Sequence, residues 1–66
     1  MQIFLNGQTL DLPDSLSLHQ LLEQQGYSQR RVAVEVNRSI VPKSRHGEHM
    51  LADGDKVEIV HALGGG

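Results

Sequence analysis

The chain closes with Gly64-Gly65-Gly66 directly after the apolar run from Lys56 to Leu63, and the group this arrangement offers for chemistry is the Gly66 carboxylate. Glycine has no Cβ, so its backbone accepts almost any φ/ψ and passes through a slot too narrow for a side chain. Three such residues, fully extended, would carry Gly66 roughly 10 Å beyond the preceding strand. A tail that enters another protein's active site and presents its own carboxyl group as the reacting centre needs these properties. Loose chain ends and vector-derived linkers also contain glycines. Here, however, the run stands flush against an apolar strand with no serine, histidine tag or other residue after it. A phosphate-binding loop is excluded, because such loops lead straight into a helix N-terminus.

The other reactive side chains form weaker constellations. His46 and His49 flank Glu48 at a spacing that could put both imidazoles on one side of a helical turn, with His61 elsewhere on the last strand. A metal site needs three or four converging ligands, and solvated histidines in a polar loop account for the same residues. Asp53-Gly54-Asp55 lacks the remaining positions of a calcium loop and reads as turn chemistry. No glycine-framed nucleophile accompanies the histidines, so a hydrolase triad is not supported. The chain has no cysteine, which removes disulfides, thiolate metal sites and any side-chain persulfide.

Sixty-six residues allow one small domain, spanning 1–66 with a flexible tail at 64–66. Such a domain buries only about 60% of the surface its unfolded chain exposes. With 38% hydrophobic residues, one Phe and one Tyr, its core must be aliphatic. Its stability should be on the order of 3–5 kcal/mol. Met1 leads straight into a strand pattern, with no charged and apolar leader and no run of membrane-spanning length, so a cytosolic location is expected. Six basic and eight acidic residues give a net charge of −2. Without a basic face or a row of stacking aromatics, nucleic-acid binding is not expected.

The elements that must position the tail follow from pattern. Met1, Ile3 and Leu5 alternate with Gln2 and Phe4, and Asn6-Gly7 supplies the positive φ angles of a two-residue hairpin turn. In that register Leu5 faces Gln8, Ile3 faces Leu10 and Met1 faces Leu12, until Pro13 ends the second strand. Ser17 is the expected helix N-cap, with Gln20 completing a capping box and Leu16 and Leu21 placed as a hydrophobic staple. Leu18, Leu21 and Leu22 form one apolar stripe over a short helix from about Leu18 to Gln25, closed by Gly26. Val32, Val34 and Val36 alternate in a third strand, Asn37-Arg38 turns the chain, and Ile40-Val41 forms a brief fourth. Lys43 to Ala52 is polar, with room for one helical turn around His46 to Met50. The last strand runs from Lys56 to Leu63.

One helix can cover only one face of so small a sheet. The economical arrangement sets the last strand in the middle, beside Met1 to Leu5. That is an α+β, β-grasp fold with a mixed sheet of four to five strands and one helix on one face. Strand side chains alternate. If Ile3, Leu5, Val57, Ile59 and Leu63 face the helix, then Phe4, Val60 and Ala62 share the uncovered face and form a docking surface beside the tail.

The whole chain resembles the ThiS-type sulfur carriers of thiamine biosynthesis, which are ubiquitin-like β-grasp proteins. The resemblance rests on the length, Asn6-Gly7, the Leu18-x-x-Leu21-Leu22-Glu23 helix, the strand at 32–37 and Ile40-Val41-Pro42. It extends through Asp53-Gly54-Asp55 and Val57-Glu58-Ile59 to the terminal Gly65-Gly66. One departure is Gly64, which makes the tail freer than a residue with a side chain would. The resemblance implies a protein co-substrate, not an enzyme, with no permanently bound cofactor. A ThiF-type adenylyltransferase would use ATP and Mg²⁺ to activate Gly66, and a cysteine desulfurase would be the indirect sulfur source. The resulting thiocarboxylate would donate its sulfur to thiazole synthase of the ThiG type. Gly64 and Gly65 would thread the tail, and Phe4, Val60 and Ala62 would meet the partners. Two alternatives share the diglycine: the small subunit of molybdopterin synthase, and a ubiquitin-like modifier attached to lysines.

Overall fold

The computed structural model describes residues 1–61. The elements are β1 (Gln2–Leu5), β2 (Gln8–Asp11), α1 (Leu18–Gln24), β3 (Val32–Val36), β4 (Ser39–Ile40) and β5 (Lys56–His61), with a 3-10 turn over Lys43–Arg45. The strands form one five-stranded sheet in the order β2-β1-β5-β3-β4. The last strand is central, parallel to β1 and antiparallel to β3. This mixed sheet with a single helix is the β-grasp arrangement expected from the sequence.

The first hairpin has the expected register, with Ile3 opposite Leu10 and Leu5 opposite Gln8. Asn6 and Gly7 adopt φ of 49° and 85°, the twist a two-residue turn needs to match the strands it joins. The Met1 ammonium donates to the Leu12 carbonyl at 2.7 Å and to the Asp14 carboxylate at 2.9 Å. The hydrogen bond to Asp14 raises the amine's pKa, and the same bond lowers that of Asp14. Asp14 is almost fully exposed, so solvent screens the pair and it adds little to stability.

The helix is short, and its ends are fully specified. The Ser17 side chain accepts from the Gln20 N–H at 3.1 Å, while the Gln20 side chain accepts from the Ser17 N–H at 2.9 Å. The remaining orphan donors of the first turn go to the polar loop: Leu18 N–H to the His49 carbonyl and His19 N–H to the His46 carbonyl. At the other end Gly26 takes φ 85°. Gly26 N–H reaches the Glu23 carbonyl and Tyr27 N–H the Leu22 carbonyl, which is the Schellman pair of bonds. Gln25 is the C-cap rather than part of the helix.

Leu18, Leu21 and Leu22 pack on Ile3, Val34, Val36, Val57 and Ile59, and Leu16, Leu51 and Val41 close the edges. Every buried apolar side chain is aliphatic. Each contributes roughly 1.5–3 kcal/mol through removal from water, against the ordering entropy of a chain this small.

The segment after β4 departs from expectation. The helical turn lies over Lys43–Arg45, earlier than the expected His46 to Met50. His46 follows it and is buried, with its Nε2 donating to the Val41 carbonyl at 2.9 Å. It is therefore a structural pin of this loop and not a solvated imidazole. Pro42 sets the position, since its fixed φ starts the turn. Met50 instead bridges back to Ser17 as an isolated strand pair. No helix among the described residues is long and apolar enough to cross a membrane.

Substitution on β5 tests the register. Ile59 is 5% exposed and Val60 58% exposed. Ile59→Asp forces a carboxylate into the aliphatic core and should abolish cooperative thermal unfolding, because the cost of several kcal/mol matches the whole stability. Val60→Asp should melt within a few degrees of the parent (about 0.5 kcal/mol). Thermal denaturation by circular dichroism of the two variants is the comparison. The reverse ranking would mean that the faces of β5 have been exchanged.

Candidate functional site

The strand that leads into the glycines is held from both sides by asparagines. Asn6 and Asn37 sit in the turns of the two hairpins, each at positive φ. The β1–β5 backbone ladder is short: Phe4 N–H donates to the Asp55 carbonyl and Asn6 N–H to the Val57 carbonyl. There β1 turns away. The Asn6 side-chain carbonyl then accepts from the Ile59 N–H at 2.8 Å, extending the ladder by one rung. Across the strand, Asn37 accepts from the Lys56 N–H and donates to the Asp55 carboxylate, both at 3.0 Å. The Asp53-Gly54-Asp55 turn anchors the start of β5, with Asp53 accepting from Gln2 N–H at 2.7 Å and Asp55 from Ala52 N–H at 2.8 Å. It is turn chemistry, as its sequence indicated.

Alternation along β5 buries Val57 and Ile59 and leaves Lys56, Glu58 and Val60 on the helix-free face. Phe4 shares that face, since Ile3 is buried beneath the helix. The two apolar residues are not neighbours, however. Phe4 is level with Lys56, so Val60 lies four residues farther along, roughly 13 Å at the rise of a strand. Glu58 stands between them. Phe4 and Val60, the two described members of the expected docking surface, are therefore separate spots on one face. Phe4 borders a small groove of about 190 Å³ with Gly7, Lys56 and Glu58, while Val60 sits opposite Ala33. Ala62 and Gly64 to Gly66, together with Leu63, lie outside the described residues.

The structure adds three residues to this face that sequence reasoning missed. Ile40 pairs with Glu35 on the outermost strand and is 71% exposed. Glu35 in turn lies directly opposite Glu58. The two-residue turn at Asn37-Arg38 implies this register, since it pairs Val36 with Ser39 and therefore Glu35 with Ile40. Like charges directly opposite on paired strands destabilise by a few tenths to about 1 kcal/mol. This face thus retains an unfavourable acidic pair between its apolar spots.

Comparisons with known proteins accord with this architecture. The sequence profile of the ThiS family matches residues 2–66. The chain is 33% identical over 66 residues to the sulfur carrier protein ThiS of Escherichia coli, each covered in full. It is 42% identical to a thiazole synthase of Paramagnetospirillum magneticum, of which it spans 20% of the length. The crystal structure of a ThiS thiamine biosynthesis protein from Geobacter metallireducens superposes with a TM-score of 0.88 at 29% identity, with complete coverage of both chains. The sequence match over the whole chain, together with the fold shared with the Geobacter protein, defines a ubiquitin-like sulfur carrier. The chain belongs to the ThiS family, whose members serve thiamine biosynthesis.

Asn6→Gly tests the pin on β5, because glycine keeps the positive φ while removing the acceptor of the Ile59 N–H. The expected loss is about 1 kcal/mol, the net worth of one hydrogen bond, with faster hydrogen exchange at the Ile59 amide. Unchanged exchange at that amide would show that the side chain does not hold the strand.

Proposed function

We propose that the chain is a single carrier domain spanning 1–66 whose Gly66 carboxylate is adenylated, converted to a thiocarboxylate and used as the sulfur donor for thiazole synthesis. The observation that carries this reading is the dual form in which the segment recurs. It matches the whole of a sulfur carrier in one organism and one fifth of a thiazole synthase in another. A carrier segment joined to the synthase would act at high effective concentration on its acceptor, which supports thiazole synthase as the protein that receives the sulfur.

The chemistry suits a bare carboxylate. A carboxylate is a poor electrophile, so its oxygen first attacks the α-phosphorus of ATP on a ThiF-type adenylyltransferase. Pyrophosphate leaves, Mg²⁺ on the partner neutralises the developing charge, and the acyl adenylate now has AMP as its leaving group. The terminal sulfur of a cysteine persulfide that originates at a cysteine desulfurase then attacks the acyl carbon and displaces AMP. A second thiol cleaves the S–S bond so formed, the two cysteine sulfurs end as a disulfide, and Gly66 ends as a thiocarboxylate. The carrier supplies the reacting terminus, with Gly64 and Gly65 narrow enough to thread a channel. The partners supply the catalytic groups and the ATP.

The helix-free face is the recognition surface in this reading. Phe4, Val60 and Ala62 would give the apolar contact, and Glu35 with Glu58 a paired negative charge that a partner cation relieves. Removing Gly66 should abolish ATP–pyrophosphate exchange by the adenylyltransferase without moving the melting temperature, and normal exchange by that deletion would sink the proposal. Val60→Asp should raise the Kd for the same partner by roughly 10-fold, the cost of losing a central apolar anchor. A binding isotherm superimposable on the parent's would remove Val60 from the surface.

A further inference from the structure

The helix side of the tail-bearing strand carries charge of the opposite sign. A cavity of about 530 Å³ opens there between α1, the loop from Tyr27 to Arg31 and the 3-10 turn. Leu22, Val32 and Tyr27 give it an apolar lining, and buried His46 also lines it. Arg30, Arg31 and Lys43 line it too, half of the six lysines and arginines in the chain, and none of the eight acidic residues does. Among the described residues none of these three cations forms an ion pair. A chain with a net charge of −2 has therefore gathered uncompensated positive charge in one concave place.

That place adjoins the root of the tail. The Tyr27 ring centroid lies 6.3 Å from that of His61, and Val32 pairs with His61 on the adjacent strand. Five residues follow His61, and fully extended they span at most roughly 18 Å. An enzyme that takes Gly66 into its active site must come within that distance of His61, which puts the mouth of the cavity within its reach. Covering three cations without partners strips water from them with nothing to replace it, which is unfavourable. The surface that does so must therefore supply anions, and carboxylates fit the guanidinium fork of arginine.

We infer that the adenylyltransferase that receives the tail places an acidic segment in this cavity, with its carboxylates on Arg30, Arg31 and Lys43. This rests on the adenylation of Gly66 proposed above. With Glu35 and Glu58 outweighing Lys56 on the opposite face, the carrier shows its partner positive charge on one side of β5 and net negative charge on the other. That asymmetry fixes the sense in which the tail is presented, because a carrier turned over would set like charges together.

The test uses the full chain and its adenylyltransferase, with Kd measured at two ionic strengths and ATP–pyrophosphate exchange at saturating carrier. Arg30→Gln combined with Arg31→Gln should raise Kd roughly 10- to 30-fold and flatten its salt dependence, with exchange at saturation retained. Lys43→Gln is an independent variant on another element and should act in the same direction. Arg38→Gln, in the β3–β4 turn away from the cavity, removes one charge, as Lys43→Gln does, and should stay within about twofold. If the parent supports exchange and the Arg30, Arg31 and Lys43 variants bind as it does, the acidic segment is overturned while Gly66 adenylation stands. If the parent supports no exchange, the adenylation reading falls and takes this inference with it. Saturable amide shifts at Tyr27, Arg30 and Arg31 with AMP alone would assign the cavity to a small phosphate ligand, and would likewise overturn it.

Discussion

Everything in this fold hangs on the position of β5 between two strands that run in opposite directions. A strand added last in sequence yet central in the sheet must have its backbone groups satisfied on both edges. β3 meets that need with five residue pairs, but β1 offers only two. The deficit is made up by side chains: Asn6 takes the Ile59 N–H, while Asn37, Asp53 and Asp55 tie the start of the strand to both neighbouring hairpins. The asparagines do two jobs at once, since each also occupies a positive-φ turn position that few side chains tolerate. The segment that leads into the glycines is thereby fixed in direction by residues far from it in sequence.

The helix is fixed with similar economy. Its seven residues are too few to form alone, and they persist because leucines on one face complete the aliphatic core while the loop around His46 and His49 receives the first-turn N–H groups. One consequence is a division of the surface. On the helix-free side, the chain can expose apolar and acidic groups without cost to the core. On the helix side, the loops that hold α1 gather Arg30, Arg31 and Lys43. The two sides of β5 thus differ in both shape and charge.

Most of the architecture was legible in the residues. Asn6-Gly7 gave the hairpin register, Ser17 with Gln20 the helix start, Gly26 its end, and the valines at 32, 34 and 36 the third strand, because each of these signals is local. The misses were non-local. His46 looked like one more polar loop residue, and only the path of the chain from Val41 through Pro42 places its ring against a backbone carbonyl. Phe4 and Val60 were correctly assigned to one face, yet their separation depends on the parallel register between β1 and β5, which no turn connects and no periodicity encodes. The Glu35–Glu58 pair and the basic cavity have the same origin, since both arise where strands or loops distant in sequence come together.

The central claim is that this fold carries sulfur on its last residue, and mass spectrometry of the terminus addresses it directly. The chain is incubated with ATP, Mg²⁺, the adenylyltransferase, a desulfurase with cysteine and a thiol reductant, and the intact mass and C-terminal fragments are then recorded. The account predicts replacement of one oxygen by one sulfur, confined to fragments that contain Gly66. An unchanged terminus, or a Gly66 joined instead to lysines of other proteins, would contradict it.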